Sequence, residues 1–199
     1  MRTTVGRVIG QGAVAVLAFF LLTGGANAQS AVMKGTVQWS LVPSIQKYTV
    51  DMDIDGARFG FFGMNNLMSG FDLEFLNWNR DNFAGCGIGL IGNVSRSDVT
   101  GFQMGCFNTV RKELVGCHLG FYNTADTVVY GAQAGFLNMC DGTVNGGQLG
   151  IANYSVNMKG VQIGILNFAD YLKGVQIGIF NMVFSRDRGA AVPVINVSF

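Results

Sequence analysis

Charge is scarce in this chain. Only 13% of its 199 residues are Asp, Glu, Lys or Arg, where about 25% is usual for a domain surrounded by water. The net charge of +1 provides no basic surface for phosphate backbones or anionic head groups, so no nucleic-acid partner is expected. Histidine occurs once, as His118, and the four cysteines (Cys86, Cys106, Cys117 and Cys140) have no CxxC spacing. A zinc site is therefore not expected. A Ser-His-acid triad would have to use His118, and the Ser and Thr candidates for its nucleophile lie mainly in segments that read as turns. Past the first 28 residues no apolar run approaches the roughly 20 residues of a membrane helix. Any membrane role would have to use strands.

The first 28 residues have the layout of a secretory signal. Arg2 and Arg7 form the charged start, Ala13 to Leu22 the apolar run, and Ala26-Asn27-Ala28 a small-x-small cleavage site. Cleavage there leaves Gln29 to Phe199 as a single domain, exported to the outer membrane or cell surface, with the periplasm as alternative. No Cys stands at the cleavage site to carry a lipid anchor.

Glycine is abundant, at 29 residues, and it is periodic. Nine consecutive units of 14 to 16 residues begin at Gly56, Gly70, Gly85, Gly101, Gly116, Gly131, Gly146, Gly160 and Gly174 and together span residues 56–188. Such spacing identifies a repeat architecture. Position 5 is Gly in every unit except at Glu74, position 8 is Asn in seven units, and position 3 is Gln at Gln103, Gln133, Gln148, Gln162 and Gln176, with His118 in the same slot. Positions 2, 4 and 6 are apolar or Gly, which is the alternation of a strand. Charges gather late in each unit, as in Arg111-Lys112-Glu113, where turns are expected.

Two all-β geometries use one strand per unit. In an antiparallel up-and-down meander, Asp141-Gly142 and Asp55-Gly56 supply hairpin turns, and about 12 strands close into a small barrel, an even number as in bacterial outer-membrane barrels. In a β-solenoid of 14–16-residue coils, equal positions stack and the Gln and Asn form ladders. The turn chemistry favours the meander. There, a hairpin at Arg111-Lys112 puts Cys106 opposite Cys117, within reach of a disulfide; in the solenoid the two are four residues apart along adjacent strands.

A phase shift near position 7 or 8, read as a bulge, gives each strand one continuous apolar face and one face of Gly, Gln and Asn. In a membrane barrel the second face, with Gln103, His118, Gln133, Gln148, Gln162 and Gln176, lines a lumen; in a soluble module it is a polar contact face. Asp51, Asp53 and Asp55, and Asp72 with Glu74, read as solvated or lumen-facing carboxylates in preference to a cation site.

GVQIGILN (160–167), GVQIGIFN (174–181), GAQAGFLN (131–138) and the tail PVINVSF (193–199) resemble the bacterial exported surface-repeat family of GxQxGxxN units with a Pro-x-x-Asn-x-x-Phe tail. That resemblance implies an envelope or surface location and no catalytic residues or cofactor. The expectation is thus a non-enzymatic envelope protein: a short-looped outer-membrane barrel, structural or weakly pore-forming, with outer-membrane lipid and the barrel-assembly machinery as partners. The alternative is a secreted or periplasmic β-repeat binding or adhesion module.

Overall fold

The computed structural model describes residues 34–185 and 191–198; the secretory signal lies outside them. Every element is a strand: β1 Lys34–Val42, β2 Ile45–Gln46, β3 Asp53–Asn65, β4 Met68–Asn79, β5 Phe83–Ser95, β6 Val99–Val110, β7 Glu113–Ala125, β8 Val128–Val183 and β9 Ala191–Ser198. From β3 to β8 each strand pairs parallel with the next, Gly56 on Gly70, Gly70 on Gly85, Gly85 on Gly101, Gly101 on Gly116 and Gly116 on Gly131. Equal positions of successive units therefore lie side by side. This is the β-solenoid, and the antiparallel barrel is overturned.

The glycine rows explain why the chain coils. At position 1 the backbone takes positive φ, 137° at Gly116 and 136° at Gly131, which an L side chain rarely adopts. A Cβ there would also strike the carbonyl oxygen of the preceding coil's glycine. Gly142, read as half of a hairpin turn, instead sits inside β8 without positive φ. It is glycine because the Thr127 carbonyl of the coil before it leaves no room for a Cβ. The turn signal was thus a close-approach signal.

Each coil buries four rows. Positions 3 and 8 carry Gln and Asn inward, so the alternation does change phase between them. The third row runs Val110, Ala125, Cys140, Ser155, Ala169 and Val183, apolar except at Ser155; the fourth runs Ile54, Met68, Phe83, Val99, Leu114, Val129, Val144, Met158 and Leu172. The last two rows form the apolar core, where full burial of a large aliphatic side chain is worth about 1.5–3 kcal/mol. The unit at Gly85, 16 residues long, fits its extra residue as a bulge between Gly89 and Gly92. At the far end β9 turns back antiparallel on the last coil, Val175 opposite Val197 and Ile177 opposite Ile195. Pro193 has no N–H to offer, and Val194 has φ 71°, so the outer edge of β9 is a poor template for another strand.

Candidate functional site

The interior is polar along one side, and two ladders organise it. The first joins Asn77, Asn93, Asn108, Asn123, Asn138, Asn153, Asn167 and Asn181, each side-chain amide donating to the next Asn carbonyl oxygen at 2.6–2.8 Å. From Asn93 to Asn167 the same amide also donates to the backbone carbonyl of position 4 in the following coil, as Asn123 does to Ala134 at 2.9 Å, and Asn181 donates to Val192 of β9. A buried amide is costly unless bonded; stacking satisfies it along the ladder, save for Oδ1 of the first rung, Asn77, which has no partner.

The second ladder is at position 3. Gln176 donates to Gln162, Gln162 to Gln148 and Gln148 to Gln133, at 2.8–2.9 Å. His118 interrupts it. This imidazole is 1% exposed, neither ring nitrogen has a hydrogen-bond partner, and Oε1 of neighbouring Gln103 is also unpaired. Burial pushes His118 down to about 3, so it is neutral. Two coils before His118, Gly87 leaves the slot empty of side chain and Phe83 packs against it. The six residues expected to line a lumen, Gln103, His118, Gln133, Gln148, Gln162 and Gln176, thus form the packed inside of the coil.

Towards β1 the same row holds Arg58, with Gln38 in register before it; neither was singled out from the sequence. The Arg58 guanidinium is fully buried, bonded to Asp72 by both Nε (3.0 Å) and Nη2, and to Asn65 and Asn79 at 3.2 Å. Glu74 lies 3.5 Å from Nε and accepts from the Gly63 N–H at 2.7 Å and from the Ser40 hydroxyl. Two carboxylates on one cation leave an excess negative charge in a dry place, and burial raises Glu74 to about 7. Asp72 and Glu74 are therefore neither solvated nor lumen-facing. Asp51 pairs with Arg80 at 2.9 Å, Asp55 with Lys34 at 3.6 Å, and Asp53 accepts from the Leu67 N–H. The three do not converge, and no metal-binding cluster occurs among the described residues.

The cysteines are free. Cys117 lies in register with Phe102, and Cys106 Sγ points to the Leu90 carbonyl; parallel stacking puts the two sulfurs in different rows, so the expected disulfide does not form.

With Gln and Asn inside, the apolar positions are outside. Position 4 presents Ile88, Met104, Leu119, Ala134, Leu149, Ile163 and Ile177; position 6 presents Leu90, Cys106, Phe121, Phe136, Ile151 and Ile165. Between these ridges Gly89, Gly105, Gly120, Gly135, Gly150, Gly164 and Gly178 make a floor without side chains. The result is a trough of about 940 Å³ running along the solenoid. Its ridges are bare: Phe121 is 57% exposed, Phe136 54%, Leu149 56%. Phe121 and Phe136 stack at 5.1 Å, and Phe61 and Phe75 extend the stacked row towards β1 at 4.2 Å. The exposed charges from Arg80 to Lys173 all fall late in their units, away from this face. The arrangement holds no nucleophile and base in contact; it is a surface for apolar contact. No protein-family model, no curated protein and no solved structure matches the chain.

Proposed function

We propose that this is a non-enzymatic protein of the bacterial cell envelope that lays its apolar face on lipid. The barrel is replaced by a solenoid, so the protein sits at the membrane rather than through it, and the barrel-assembly machinery, which was expected only on account of the barrel, has no part in this reading. The polar Gly/Gln/Asn face is likewise withdrawn as a contact surface, because it is the interior.

One observation carries the reading: an uncharged, contiguous face of exposed Ile, Leu, Phe and Met across the repeat, with the exposed charge of the units at their late positions and the early charges Arg58, Asp72 and Glu74 buried. A monomer in water rarely exposes an apolar patch beyond roughly 300–600 Å². Segregation of apolar and charged surface is the property by which amphipathic elements lie in a membrane interface. The secretory signal read from residues 1–28 supplies export.

Flotation with phosphatidylethanolamine/phosphatidylglycerol vesicles tests it. The mature chain is expected in the vesicle fraction at moderate salt, and Phe121→Lys with Phe136→Lys is expected to leave it at the bottom of the gradient. Recovery of the unaltered protein entirely in the lipid-free fraction defeats the reading.

A further inference from the structure

The corner where each coil ends carries an ordered pattern of charge. We infer that this ridge pairs with the same ridge of a second copy of the chain, running antiparallel, through reciprocal ion pairs of Arg96 with Asp141 and of Arg111 with Asp126. The inference is independent of the lipid-facing reading above.

The coil builds the column. Arg80, Arg96, Arg111 and Asp126 each follow directly on a residue of the third buried row or one in register with it, and the N–H of each bonds to a carbonyl one coil back at 2.9–3.1 Å. Asp141 and Val156 follow Cys140 and Ser155 of that row. Neighbours in the column are thus about 4.8 Å apart, and the order along the solenoid is three cations, two anions and a valine. Like charges directly opposite on adjacent strands repel. Partial burial, then the cations of Arg111 and Arg80, push Arg96 down from its usual range, and burial, then Asp141, push Asp126 up. Arg96, Arg111, Asp126 and Asp141 are exposed, and among the described residues none of them is in an ion pair.

A second copy relieves what one chain cannot. Laid parallel, two such ridges set cation on cation. Laid antiparallel about a two-fold axis between Arg111 and Asp126, they set Arg111 on Asp126 and Arg96 on Asp141, and the symmetry forms each pair twice. Sliding by one coil in either direction sets Asp126 on Asp126 or Arg111 on Arg111, so charge selects a single register. Arg80 supplies an independent check. In this register it faces Val156, which offers no charge, and it is the one cation of the column with a carboxylate of its own, Asp51 at 2.9 Å. The columns alongside agree: Lys112 faces Thr127, Glu113 faces Val128 and Asp98 faces Thr143, so no like charges meet there. An anionic polymer laid on the three cations would instead run on over Asp126 and Asp141 with like charge.

Sedimentation equilibrium of the mature chain tests the pairing, in a density-matched non-ionic detergent that covers the apolar face. A dimer is expected at low salt, its dissociation constant rising at least tenfold between about 0.1 and 1 M sodium chloride, where the screening length falls from about 10 to about 3 Å. Arg96→Asp sets like charge against Asp141 of the second copy and is expected to leave a monomer; by symmetry so is Asp141→Arg. The two substitutions together in one chain exchange the pair, alternate the charge along the column and are expected to restore the dimer, which also shows that the fold tolerates both. A monomer at low salt overturns the inference. So does a dimer that either single variant leaves at the parent's strength, since that dimer uses another surface. A double variant that stays monomeric overturns the register and the inference with it.

Discussion

Asn196 on β9 donates to Oε1 of Gln176 at 2.8 Å, so the last rung of the Gln ladder comes from a strand running the opposite way. Without it the terminal Gln oxygen would be buried and unpaired. Replacing Asn196 with Leu is expected to cost about 1–3 kcal/mol and to speed amide exchange in the coil of Gly174 more than in that of Gly116. Uniform exchange across both coils would show that the cap does not act locally.

The Asn ladder sets a larger expectation. Asn123 accepts from Asn108 at 2.8 Å and donates to Asn138 at 2.8 Å and to Ala134 at 2.9 Å. Asn123→Leu breaks all three and orphans neighbours on both sides. Urea denaturation is expected to show a loss of about 3 kcal/mol, from net values of about 1 kcal/mol per hydrogen bond. A loss below 1 kcal/mol would mean that the ladder contributes little.

His118 makes stability depend on acid. Its folded value, about 3, lies below the ordinary 6.5, so the unfolded chain binds the proton more readily. The folded state keeps its full stability above pH 6.5 and loses about 1.4 kcal/mol per unit as pH falls from 6.5 towards 3. His118→Gln removes this slope and offers an amide to Gln103 and Gln133. Melting of the variant is expected to be higher at pH 7 and to separate further from the parent at pH 5; parallel curves would remove His118 as the cause.

Glu74 acts with the opposite sign. Its folded value, about 7, is above the ordinary 4.5, so the folded state holds the proton more tightly and stability declines as pH rises from 4.5 through 7. Glu74→Gln is expected to flatten that decline. Arg58→Met, which strands two buried carboxylates, is expected to cost about 3–5 kcal/mol at pH 8 and less at pH 5, read by chemical denaturation.

Gly164→Ala is expected to prevent normal folding although the position borders the exposed trough, since the added methyl meets the Gly150 carbonyl. A circular dichroism spectrum and melt equal to the parent's would contradict the close approach of coils.

The period, the strand character and the two amide rows were legible from GxQxGxxN alone; the direction of pairing, parallel and not antiparallel, was not. Asp141-Gly142 fits a hairpin turn as well as it fits a coil whose neighbour passes too close for a Cβ, and only the spatial neighbour distinguishes the two. Arg58 was legible in principle. In solenoid register it stacks on Asp72, with Glu74 beside it, and these are the charges set among otherwise uncharged early positions; the meander scattered them. The apolar face was expected outside and the Gln and Asn inside, as the solenoid has them, but that inside is a packed ladder and not a lumen, because strand alternation says which residues share a face and not how closely the opposite walls approach.

Every rung of the Asn ladder has nearly the same length, and Gly146, Gly160 and Gly174 each meet the glycine of the coil before in the same way, so the last coils are alike in their contacts. Unequal crossover between the near-identical stretches 160–167 and 174–181 would add or delete a whole coil without requiring any new contact. Lineages of this chain are thus free to vary in length by duplication, each added unit lengthening the trough by about 4.8 Å, while β9 with its Asn196 has to remain last.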